Sequence, residues 1–129
     1  MGADAVYVVD TSVLIDVLRG SQAAADWLAG LDQVPLCSEI TRAEVLRGVR
    51  SPERTRTEQL LDALRWAPID EATSRRAGEL GRRHRRSHRA LGVADLLIAA
   101  TALVHDAELA TGNVRHYPMF PGLRPPYAA

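Results

Sequence analysis

Three acidic residues stand at the edges of runs too apolar to lie at a protein surface. Asp10 follows Val6-Tyr7-Val8-Val9. Glu44 lies within Ile40-Thr41-Arg42-Ala43-Glu44-Val45-Leu46, and Asp95 opens Asp95-Leu96-Leu97-Ile98-Ala99-Ala100. Folding gathers apolar segments, so the acids at their ends are drawn together. Clustered carboxylates repel unless a cation sits among them. Their hard oxygens suit a divalent ion, and such an ion points to chemistry on phosphate.

Each acid also has a purely structural reading. Asp10 precedes Thr11 and Ser12 at a strand-to-helix junction, where a plain N-cap contributes about 1 kcal/mol. Thr11 or Ser12 could do the capping instead and leave Asp10 facing a crevice. Glu44 could be the reciprocal member of a capping box, Thr41-x-x-Glu44, and a helical wheel sets it away from Val45, Leu46 and Val49. Asp95 in a first helical turn gains ~0.3–1 kcal/mol from the helix dipole. The helix it opens is apolar nearly all round, however, so a charge at that edge needs partners or a metal. Asp16 is expected to be solvated and paired with Arg19 at i+3. Thr111, Asn113 and His116 cluster past a strand end. They are either turn residues around Gly112 or a set of groups that hold metal-bound water or a substrate phosphate.

The elements that must position these residues alternate. Val6 to Val9 reads as a buried parallel strand, followed by helices over Ser12 to Leu18 and Gln22 to Leu28. A strand over Val34 to Cys37 leads into a helix from Thr41 through Val49. Ser51-Pro52 starts another helix, with Leu60, Leu61 and Leu64 as its apolar stripe. A short strand is expected over Trp66 to Ile69. Asp70 then caps a long polar helix running towards Arg86. Val93 to Val104 reads as a buried helix, Glu108 to Thr111 as a last strand, and the tail as an extended closing segment. Strands separated by helices imply an α/β fold with a parallel sheet and helices on both faces. In such sheets the functional crevice lies at the carboxyl ends of the strands, where Asp10 and Thr111 fall.

Composition narrows the chemistry. At 129 residues the chain is expected to form one domain, residues 1–129, large enough to bury roughly two-thirds of its unfolded surface. Its formal net charge is zero, so any attraction for anions must come from a local patch. All 16 basic residues are arginine. Without lysine, P-loops, Schiff bases and lysine-assisted phosphoryl transfer are excluded. Cys37 is the only cysteine. It cannot form an internal disulfide and reads as a small core residue. There is no signal-peptide pattern and no apolar run near the ~18 residues of a membrane span, so a soluble, cytoplasmic protein is expected.

Four blocks of the chain resemble one family. Val8-Val9-Asp10-Thr11-Ser12-Val13-Leu14-Ile15-Asp16, Thr41-Arg42-Ala43-Glu44-Val45-Leu46-Arg47-Gly48, Ala94-Asp95-Leu96-Leu97-Ile98-Ala99-Ala100-Thr101-Ala102 and Ala110-Thr111-Gly112-Asn113-Val114-Arg115-His116-Tyr117-Pro118 are similar to the PIN-domain ribonucleases, in their VapC toxin branch. The blocks run in the right order and spacing over almost the whole chain. The resemblance implies a PIN-like fold and Mg²⁺ or Mn²⁺ held by Asp10, Glu44 and Asp95. It adds Thr111 and Asn113 to the site and places Ser12 and His116 beside the substrate. His116 stands where many relatives carry a further acid, which puts a second tightly held metal in doubt. The resemblance also implies a VapB-type antitoxin as partner and a toxin homodimer. The implied reaction is hydrolysis of an RNA phosphodiester by metal-activated water, leaving a 5′-phosphate. The resemblance, not the spacing of residues, selects RNA over DNA.

Arg82, Arg85, Arg86 and Arg89 recur at i, i+3, i+4 and i+7. As one helix face they would repel unless something anionic lay opposite, and an RNA backbone would serve. The alternative is a solvated face with Glu79 pairing to Arg83. His84 and His88 at i, i+4 lack the glutamate of a metalloprotease motif and read as exposed. A phosphoacceptor signalling domain would need a lysine that the chain lacks. A hydrolase triad would need a G-x-S-x-G elbow, also absent. A catalytically silent binding module on the same fold remains the main competitor.

Overall fold

The computed structural model describes residues 5–85 and 91–128. Four three-residue strands, β1 (Tyr7–Val9), β2 (Leu36–Ser38), β3 (Arg65–Ala67) and β4 (Glu108–Ala110), form one sheet in the order β3-β2-β1-β4. Every pairing is parallel, with Val8 opposite both Leu36 and Leu109. Among the described residues six helices connect and cover the strands: α1 (Thr11–Leu18), α2 (Gln22–Ala29), α3 (Glu39–Gly48), α4 (Arg54–Asp62), α5 (Glu71–Arg83) and α6 (Val93–Val104). Ser51–Glu53 and Val114–His116 are single 3₁₀ turns.

The two-residue alternation of strands divides the core into two layers. Val8, Leu36, Ala67 and Leu109 pack with Ala77 and Leu80 of α5 and with Leu96, Ile98, Ala99, Ala100 and Ala102 of α6. Val9, Cys37 and Ala110 pack on the other side with Val13 and Leu14 of α1, Val45 of α3 and Leu61 of α4. Adjacent residues of one strand thus serve opposite faces, and helices cover both. Burial pushes the Cys37 thiol up to about 12, so it is an inert core group. None of the helices among the described residues is long and apolar enough to cross a membrane.

The order β3-β2-β1-β4 places a topological switch between β1 and β4. From β1 the chain crosses to β2 on one side, and β4 returns to the other. The flanking loops therefore splay apart and open a crevice at the strand ends. Asp10 directly follows β1 and Thr111 directly follows β4.

Three local expectations are corrected. The helix bearing Glu44 starts earlier than Thr41, because Ser38 at the end of β2 caps it, accepting from the Ile40 amide at 3.3 Å. Thr41 is therefore inside α3, fully buried, and forms no capping box with Glu44. The helix begun at Asp70 ends at Arg83, short of Arg86. Its last buried residue is Leu80. Asp16 is not paired with Arg19. It is half-buried, and its Oδ2 accepts from the Tyr127 hydroxyl at 2.7 Å.

Ile98 of α6 is fully buried in the cluster that α5 and α6 form with the sheet, whereas Val104 at the end of the same helix is 41% exposed. Ile98→Ala is expected to lower unfolding free energy by about 2–5 kcal/mol through the cavity it leaves. Val104→Ala should cost no more than about 0.5 kcal/mol. Urea denaturation of both variants checks this; equal losses would mean that the layer between sheet and α6 is wrongly assigned.

Candidate active site

Asp10 occupies the N-cap position of α1 with extended backbone (φ −73°, ψ 157°), yet its side chain caps nothing. The carboxylate is 3% exposed. Among the described residues it accepts three hydrogen bonds, all from neutral hydroxyls: Ser12 at 2.8 Å and Thr111 at 2.6 Å on Oδ2, and Tyr117 at 3.0 Å on Oδ1. A buried ionised carboxylate normally finds a cationic side chain. Here the donors reduce the desolvation cost without cancelling the charge.

The other two acids reach the same cleft. It has a volume of about 540 Å³ and is lined by Asp10, Ser12, Asp16, Arg19, Glu44, Asp95, Asn113 and His116, among others. Glu44 Oε1 accepts from the Thr11 hydroxyl at 2.6 Å. Thr41 Oγ1 lies 3.1 Å from that same hydroxyl and fixes its rotation. Asp95 sits in the first turn of α6; its Oδ1 accepts from Tyr117 at 3.3 Å and its Oδ2 lies 3.1 Å from His116 Nδ1. Among the described residues no three acids or histidines form a ready-made metal cluster. The donors are nonetheless all carboxylate oxygens around one cavity. That set suits a hard divalent ion that keeps several waters between itself and the protein.

The supporting polar residues differ in what they can do. Thr111 is fully buried; it donates to Asp10 and accepts from the Asn113 amide at 2.9 Å. It stands behind the acid rather than in the cleft. Ser12 is similarly committed, donating to Asp10 and accepting from the Gly112 amide at 3.1 Å. Asn113 and His116 are exposed on the cleft wall and can meet a ligand.

Of the arginine series, only Arg82 and Arg85 lie among the described residues, and they do not share a helix. Arg82 is exposed in the last turn of α5, but Arg85 lies beyond the helix end, and Arg86 and Arg89 lie outside the described residues, as does His88. Glu79 Oε1 and Arg83 Nη2 are 3.9 Å apart, a loose surface pair.

Tyr117 and Thr11 belong to the site and were not singled out in the sequence. The partners of Tyr117 are 107 and 22 residues away, and no local pattern marks its hydroxyl. Thr11 reads as a helix-start residue, and its partner Glu44 is 33 residues away.

Burial raises the Asp95 pKa above its ordinary value; the His116 charge opposes this, the Asp10 and Glu44 charges add to it, and the Tyr117 hydrogen bond opposes it. A carboxyl whose folded pKa is raised costs stability when it ionises. That cost is absent below the unfolded pKa and sets in as pH rises through the folded pKa. In chelator at neutral pH, Asp95→Asn is therefore expected to melt above the parent, with the difference closing as pH falls through the carboxylate range. Added Mg²⁺ should stabilise the parent and not the variant. Thermal melts across pH check both; a variant that melts lower at pH 7 without metal would make Asp95 a structural cap.

The PIN domain family model matches residues 7–118. The chain is 47% identical to ribonuclease VapC19 of Mycobacterium tuberculosis over 123 residues, covering 93% of this chain and 98% of the relative. It is 49% identical to ribonuclease VapC10 of the same organism, covering 94% and 92%. A toxin–antitoxin complex from Klebsiella pneumoniae contains a chain that superposes with a TM-score of 0.82 at 28% identity, covering 95% of this chain and 99% of that one. With its acids at the β1–β4 switch point and these relatives along nearly its full length, the chain belongs to the PIN-domain family, in the branch of the VapC ribonucleases.

Proposed function

We propose that this protein is the toxin of a toxin–antitoxin pair, an endoribonuclease that hydrolyses RNA phosphodiester bonds with a divalent cation, Mg²⁺ or Mn²⁺, held by Asp10, Glu44 and Asp95. The observation that carries the reading is Asp10: a buried carboxylate, held among the described residues by three neutral hydroxyls, in one cleft with two further acids. When bound, such an ion activates water and offsets the charge that builds on the phosphoryl oxygens. The chain's own residues do the rest. Ser12, Thr111 and Tyr117 hold Asp10, Thr11 holds Glu44, and His116 and Tyr117 hold Asp95. Asn113 and His116, exposed beside the acids, are placed to meet the scissile phosphate or a flanking nucleotide. Arg19 on the same wall adds a cation for the RNA backbone.

Two protein partners follow from the same reading, an antitoxin of the VapB type and a second copy of this chain. The antitoxin is supported by structural neighbours solved as toxin–antitoxin assemblies, such as the Klebsiella pneumoniae complex. A catalytically silent module is the second reading. It is favoured by the lack of a closed three-ligand cluster among the described residues and by His116 occupying an oxygen of Asp95.

Asp10→Asn and Asp95→Asn are expected to keep the fold and to reduce Mg²⁺-dependent cleavage of cellular RNA by roughly a hundredfold or more. Chelator should do the same to the parent. Product ends should carry 5′-phosphates. Cleavage unchanged by either substitution would remove that acid from the mechanism, and a folded parent that cuts nothing in Mg²⁺ or Mn²⁺ would leave the silent module standing.

A further inference from the structure

Tyr117 lies just past the Val114–His116 turn, where the chain leaves the sheet edge for its tail. Its ring is 1% exposed, packed in the α5–α6 layer with its centroid 6.5 Å from that of Phe120. Its hydroxyl is 3.0 Å from Asp10 Oδ1 and 3.3 Å from Asp95 Oδ1. A phenol has one proton, so this donor is shared between two acids. It engages one oxygen of each carboxylate, and the remaining oxygen of each is held from elsewhere. Asp10 Oδ2 is held by Ser12 and Thr111, and Asp95 Oδ2 by His116. Each carboxylate is thus gripped at both oxygens, which fixes its rotation.

We propose that Tyr117 is a positioning residue: its neutral hydroxyl sets the rotation and separation of the Asp10 and Asp95 carboxylates so that the pair is arranged in advance for one divalent cation. This rests on the metal-dependent reading given above. An arginine in this place would neutralise the pair and compete with the ion. A phenylalanine would fill the space but leave two carboxylates facing each other with no donor between them. The phenol separates them and preserves their charge. A phenol keeps its proton at neutral pH, so it remains a donor. Outer groups that orient metal ligands typically contribute ten- to a hundredfold in affinity.

The test is Mn²⁺ binding to chelator-treated protein, read from the electron paramagnetic resonance signal of free Mn²⁺. Tyr117→Phe keeps the ring, so circular dichroism should match the parent. Its Mn²⁺ affinity is expected to fall by about tenfold or more. RNA cleavage should fall at limiting Mn²⁺ and recover towards the parent kcat at saturating Mn²⁺, with KM for RNA unchanged. A variant that melts lower but binds Mn²⁺ as the parent does would make Tyr117 a core residue only and overturn the proposal. Tighter binding would also overturn it, because the hydroxyl would then be a competitor of the ion. A parent that binds no Mn²⁺ and cuts no RNA would instead bring down the metal-dependent reading, and this proposal with it.

Discussion

The structure depends on holding several carboxylates at the edge of an apolar core, largely through neutral hydroxyl donors. Asp10 is almost completely buried, and Asp95 and Glu44 open onto the same cleft. Hydroxyl donors lower the cost of burial by a modest amount each and leave the charge in place. Ser12, Thr111 and Tyr117 do this for Asp10, and Thr11 does it for Glu44.

The same hydroxyls join parts of the chain that the sheet alone leaves loosely connected. The strands are only three residues long and supply few backbone bonds. Ser12 ties the start of α1 to the loop after β4 through the Gly112 amide, and Thr111 ties that loop to Asp10. Tyr117 ties the exit of the chain to both β1 and α6. Tyr127, near the far end of the tail, bonds Asp16 on the cleft wall while its ring packs near Trp27 at 6.3 Å. Stability and site geometry are carried here by one set of contacts, so substitutions meant to probe chemistry must be checked against folding.

Much of the fold was legible because burial leaves a strong mark on composition. The helix at Val93–Val104 was read with its observed limits, since twelve consecutive residues are nearly all apolar and Gly92 breaks the chain before them. The strands were placed to within two residues for the same reason. The ends of polar helices were not legible. Gly81 weakens the helix, but Arg82, Arg83 and Arg85 beyond it have good helix propensity, so no single residue marks the stop at Arg83. At α3 the cap was read as Thr41, whereas Ser38 at the end of β2 caps the helix.

Within the site, the sequence by itself determined which acids end apolar segments, and hence that Asp10, Glu44 and Asp95 would approach one another; hydrophobic burial is non-directional and can be read from residue type. Which groups hold those acids was decided only by tertiary structure. A hydrogen bond requires a donor within about 3 Å and in line, and whether Tyr117 meets that condition at two carboxylates depends on how β1, α6 and the exit loop pack together, which no local pattern records.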